Sequence, residues 1–220
     1  MMGNISPMEY VFLYILIWWS MLVLGLTFFR FQWTSYITPL ILSVIPLTFI
    51  SVMLQIFGLV DLTAIIQPLC AIACFGLIFR FKWVFSLIMV VIPFAVNIVW
   101  EFLLNYAVTW FDMNQVLHNL KEDNQFSVGF LISIMNFLLI YVLIKQRWGF
   151  SFIPRSSKQP IGFKNGNEKL LAFVFSCFFF IGLSSLAVYY KNQFYIWTML
   201  MVLFIWLLLL RVAFRKDLEE

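Results

Sequence analysis

Asn97, Glu101 and Asn105 recur at intervals of four inside the otherwise apolar run NIVWEFLLNYAVTWF (97–111). A four-residue interval puts three side chains on one helical face. One carboxylate and two carboxamides there can donate and accept hydrogen bonds with the polar part of a ligand. A carboxylate turned toward lipid is expensive, so this face is expected to look into a helix bundle or an outward-open cavity. The indoles of Trp100 and Trp110 lie in the same run. Asn97, Trp100, Glu101, Asn105 and Trp110 are therefore the candidate ligand-binding residues. The alternative for the three polar residues is helix packing without a ligand.

Other chemistry finds little support. The one histidine, His118, lies between apolar segments, and Cys70, Cys74 and Cys177 all lie within them. A Cys–His nucleophilic pair needs both groups on one side. No Cys/His cluster has metal-ligand spacing, and no HExxH, GxSxG or Gly-rich phosphate loop occurs. The expectation is no catalytic residue, no metal site and no cofactor. The sequence thus does not read as an enzyme.

The elements that must hold these residues follow from composition. The 220 residues are 64% hydrophobic and 11% charged, with 27 Phe and 9 Trp. Soluble domains carry about 25% charged residues, and a chain of this length has no core large enough to hide so much apolar surface. An all-α polytopic membrane protein is expected. Seven apolar segments, at about 8–29, 36–57, 62–79, 83–105, 127–144, 170–190 and 194–214, approach the ~20 residues a spanning helix needs. The first meets Arg30 with no small-residue cleavage site, and so reads as a retained helix.

Lysine and arginine accumulate in cytoplasmic loops. With the N-terminus outside, the inner side receives Arg30, then Arg80 and Lys82, then the basic residues of 145–169, then Arg211, Arg215 and Lys216. Only Lys121 and Lys191 of the 14 basic residues fall outside. The expected architecture is a bundle of about seven transmembrane helices, N-terminus outside and C-terminus inside. It forms a single domain over 1–214, with a charged tail over 215–220. Glu101 then lies near the outer end of the fourth helix. The basic residues sit in loops between spans, which argues against a nucleic-acid partner and for contact with the lipid bilayer.

Two connections are long. The outer one, 112–127, has Met113, Val116, Leu117 and Leu120 at the spacing of a short surface helix. The inner one, 145–169, is basic and rich in Gly, Pro and Ser. Pro39, Pro46, Pro68 and Pro93 are expected to weaken or kink their helices. Intramembrane polar groups are few: Gln55, Gln67, Asn97, Glu101, Asn136, Ser176, Ser184 and Ser185, with Thr48 and Thr63. An ion path needs several acidic groups through the midplane, and only Glu101 qualifies. Asn136 is expected to hydrogen-bond between helices. No internal repeat, inverted or otherwise, argues for a secondary transporter.

The run QIFGLVDLTAIIQPLCAIACFGLIFRFKWVFSLIMVV (55–91), with its basic-aromatic turn FRFKW (79–83), and the terminal LLLLRVAFRKDLEE (207–220) resemble the membrane sensor module of accessory gene regulator (AgrC) type histidine kinases. These are peptide-sensing receptors. The likeness covers most of the chain in layout. It implies a multi-pass protein of a bacterial cell membrane that binds a small, secreted, often hydrophobic quorum-sensing peptide from outside. It also implies a last helix continuing toward a dimerisation helix, hence a homodimer or a cytoplasmic signalling partner. The chain departs from the family in having no phospho-accepting histidine region and no ATP-binding domain. A sensor or receptor-like protein binding a peptide or lipophilic ligand is the leading expectation. The substrate-binding membrane subunit of a small-molecule transporter is the alternative, and a packing subunit without a ligand is a further one.

Overall fold

The computed structural model describes residues 7–59, 62–108 and 126–151, together with Ser176, Leu200, Met201, Leu203, Phe204, Leu207, Leu208 and Arg211. The described residues hold five α-helices and no strand. They are α1 (Pro7–Phe28), α2 (Ile37–Ile56), α3 (Thr63–Leu77), α4 (Trp83–Val108) and α5 (Phe126–Gln146), with one 3-10 turn at Trp33–Tyr36 ahead of α2. Uninterrupted apolar runs favour helix because every interior backbone N–H and C=O is then paired within its own segment.

α1, α2, α3 and α5 each stop at a local signal. At the end of α1 the Arg30 N–H donates to the Thr27 carbonyl at 3.0 Å and the Phe31 N–H to Leu26 at 3.0 Å. Arg30 itself takes the left-handed conformation, φ 55°. This is the paired-bond cap that usually ends on glycine. Gly58 (φ 66°) closes α2 in the same way, while Arg147 (φ 52°) closes α5 and Arg80 (φ 60°) follows α3.

The helices pack in a ring, α1 against α2, α2 against α3, α3 against α4 and α4 against α1; α5 sits in the groove between α1 and α4. Short turns make successive helices of the ring antiparallel. α5 runs parallel to α1, because the Phe150 N–H donates to the Phe28 carbonyl at 2.7 Å while Gly129, near the start of α5, lies against Leu13 and Ile17. The C-termini of α1, α3 and α5 therefore share one end of the bundle. An aromatic cluster closes that end, with Phe31 and Phe81 ring centroids 5.1 Å apart and Phe75 and Phe79 4.8 Å apart.

The core follows the same arrangement. Residues 20–28 of α1 and 85–93 of α4 are buried on all sides. In contrast, α2 and α5 keep large apolar side chains exposed, among them Ile41, Ile45 and Phe49, and Ile134, Phe137 and Leu138. Four helices, Met8–Phe28, Trp33–Ile56, Trp83–Val108 and Phe126–Gln146, are long and apolar enough to cross a membrane. They make this a multi-pass membrane protein.

The helix count of seven is not reached among the described residues. α3 has 15 residues, about 22 Å of helix at 1.5 Å per residue, against about 30 Å of hydrocarbon. Of the expected spans at 170–190 and 194–214 only Ser176 and Leu200, Met201, Leu203, Phe204, Leu207, Leu208 and Arg211 are described, each of them helical, and most of 112–127 and of 145–169 lies outside the described residues. α4 runs three residues beyond its expected end at 105. Helices continue through Pro46, Pro68 and Pro93, and Pro39 stands in the first turn of α2, where a missing N–H breaks no intrahelical bond.

Candidate functional site

α4 carries four of the five candidate residues along one stripe. Asn97, Trp100 and Glu101 are half-buried and Asn105 is buried; Trp110 lies outside the described residues. Packing of α4 against α1 and α5 turns Asn97 toward both. Asn136 of α5, completely buried, donates one N–H to the Asn97 Oδ1 at 2.7 Å and the other to the Ser20 Oγ of α1 at 3.2 Å. Ser20 in turn donates to the Ile17 carbonyl at 2.9 Å. Three helices are thus pinned at mid-length by one carboxamide. Asn105 turns back on its own helix and donates to the Glu101 carbonyl at 2.9 Å.

The remaining polar atoms give the site its character. Asn97 Nδ2, Trp100 Nε1 and Asn136 Oδ1 are buried and have no hydrogen-bond partner among the described residues. Two donors on one turn of α4 and one acceptor on α5 are therefore left unmade. Leaving such groups buried and unmade costs about 1–3 kcal/mol each, a cost a ligand carrying both a carbonyl and an N–H would remove. Glu101, one turn further toward Val108 and about 10 Å from that helix end, adds a carboxylate with no ion-pair partner among the described residues.

A second polar seam behaves differently. Between α1, α2 and α3, the Trp18 Nε1 donates to the Ser51 Oγ at 2.9 Å and the Gln67 Nε2 donates to the same oxygen at 3.0 Å. Ser51 itself donates to the Leu47 carbonyl at 2.8 Å, and Tyr14 donates to the Gln55 Oε1 at 3.2 Å. The Ser51 hydroxyl has filled its one donor and two acceptor positions. This seam fastens helices; the Asn97 seam keeps atoms in reserve.

Sequence reasoning placed Asn97, Glu101 and Asn136 in the membrane but passed over Ser20 and Ser51, because isolated serines in apolar runs carry no periodic signal. It noted the basic-aromatic turn FRFKW at 79–83 but passed over its recurrence as FRFQW at 29–33, each time after an odd-numbered helix of the ring. Among the described residues no group of three or more His, Cys, Asp and Glu side chains is arranged to hold a metal. No family model, curated protein or solved structure matches the chain.

Proposed function

We propose that this chain is a membrane-embedded receptor of the sensor type, which binds a peptide or lipophilic ligand at the α1/α4/α5 seam and passes the change on through its helices. The observation that carries the reading is the set of buried, unmade hydrogen-bonding atoms on Asn97, Trp100 and Asn136 beside the Glu101 carboxylate. A peptide amide supplies one carbonyl and one N–H, the complement of that set. Seven spans, an outer N-terminus, a bacterial cell membrane and output through the last helix complete the proposal; the lysine and arginine pattern supports the orientation. A ligand shifts such a protein only by binding two of its conformations unequally, and contacts shared by three helices offer that inequality.

The test is photolabelling of the full chain in lipid nanodiscs with a short apolar peptide bearing a diazirine. Labelling should concentrate on 97–105 of α4 and on the facing turns of α1 and α5, and Glu101→Gln should weaken it several-fold while expression is kept. Labels spread over Phe49, Phe137 and Leu138 on the outer faces would instead show partition into lipid and sink the reading. Saturable uptake of a small solute by liposomes holding the chain and an ATPase partner would favour the transport-subunit alternative.

A further inference from the structure

We propose that Arg30 and Arg147 form a second binding site, for a phosphate-bearing anion, and that its occupant is the headgroup of an anionic phospholipid. The two residues follow α1 and α5 at the same end of the bundle. The hydrogen bond from the Phe150 N–H to the Phe28 carbonyl draws their turns together, and the Phe29 and Phe150 rings pack 5.8 Å apart. Gly149 approaches so closely that a Cβ there would stand 2.8 Å from the Phe28 carbonyl oxygen and 3.0 Å from the Arg30 Cγ. Both arginines are exposed. Neither has an ion-pair partner among the described residues, and the turns at this end, 29–36, 78–82 and 145–151, contain no Asp or Glu.

The backbone supplies an independent argument. Arg30 and Arg147 occupy left-handed positions that glycine takes without steric cost, as Gly58 does at the other end of the bundle. Stability of the turn alone favours glycine. Nor is a further cation needed to complement the terminal carbonyls of α5, since Lys145 already stands in its last turn. What arginine adds is a planar fork of donors matched to phosphate oxygens. Phe31 packing on Phe81 brings the turn carrying Arg80 and Lys82 alongside.

The apolar surroundings select a lipid over a free anion. Trp148 and Trp83 are 61% and 57% exposed at this end, the placement of indoles at headgroup level. Directly along α5 from Arg147 lie exposed Ile144, Tyr141 and Leu138, a track on which an acyl chain can rest.

The experiment is native mass spectrometry of the full chain in detergent with phosphatidylglycerol, with phosphatidylcholine of the same acyl chains, and with inorganic phosphate as competitor. The variant is Arg30→Gly with Arg147→Gly, which removes both forks at positions where glycine fits the backbone and so keeps the fold. An interfacial cation contributes about a factor of five toward anionic lipid, so phosphatidylglycerol binding should fall about thirtyfold while phosphatidylcholine binding is unchanged. Lys164→Gln with Lys169→Gln, which removes the same charge, should leave binding intact. Equal loss in that control means diffuse attraction and overturns the site, as does a double glycine variant that binds like the parent. Displacement of phosphatidylglycerol by millimolar phosphate overturns the lipid assignment.

Discussion

The hydroxyl of Ser51 accepts hydrogen bonds from Trp18 and Gln67 and gives its own proton to a backbone carbonyl. Ser51→Ala removes one oxygen but leaves two buried N–H groups without an acceptor. A loss of about 1–2 kcal/mol is expected, read as an earlier thermal midpoint in detergent, with a rise in the exposure of Trp18 fluorescence. Asn136 has the same standing at the other seam, where it joins Ser20 to Asn97. The difference between the two residues is what they leave over. Ser51 is saturated, whereas the Asn97–Asn136 pair retains a donor and an acceptor in a buried place. A carboxamide pair between helices cannot saturate itself, since each group offers two donors and two acceptor positions. Of the candidate residues, Glu101 stood out in the sequence because charge is rare there. The role of Asn97 did not, because its partner Asn136 lies 39 positions away on another helix.

Among the elements, α1 and α4 meet most closely where Gly25 faces Met89. A Cβ on Gly25 would lie 2.8 Å from the Met89 carbonyl oxygen. That oxygen is the one whose usual helical partner, the N–H four residues on, is missing because position 93 is proline. Small residues at helix crossings let backbones approach, and here the glycine covers a carbonyl that Pro93 has freed. Gly25→Ala pits a methyl group against backbone rather than a flexible side chain, and should cost about 2 kcal/mol in a chemical-denaturation series. Gly129→Ala is the control. Its Cβ would meet only the ends of Leu13 and Ile17 at 3.1–3.2 Å, side chains that can shift, so a much smaller loss is expected. The prolines were visible in sequence as helix-weakening positions. Their consequence, a free carbonyl packed under a glycine of another helix, depended on which helices become neighbours.

For the whole molecule, the apolar excess is distributed as a bilayer demands. α1 and α4 are enclosed over 20–28 and 85–93, while α2 and α5 turn Phe49, Phe137 and Leu138 outward. In a chain whose native cysteines are replaced by alanine, Phe49→Cys and Leu138→Cys should react with a lipid-soluble maleimide and resist a membrane-impermeant one. Equal reaction with both reagents would place these faces in water. The sequence by itself determined the membrane class, the helical content and most helix ends, because hydrocarbon forces each spanning segment to pair its own backbone and so ties structure to local apolar length. It also marked α4 as the helix carrying the polar stripe. Tertiary structure decided the rest: the ring of four helices with α5 in its groove, the shortness of α3, and the meeting of Ser20, Asn97 and Asn136. The same holds for the meeting of the turns that carry Arg30 and Arg147. Nearly every surface of every helix here is apolar, so hydropathy carries almost no information about which face meets which neighbour; that choice rests on close-packed shape, a few small residues and a handful of hydrogen bonds between helices.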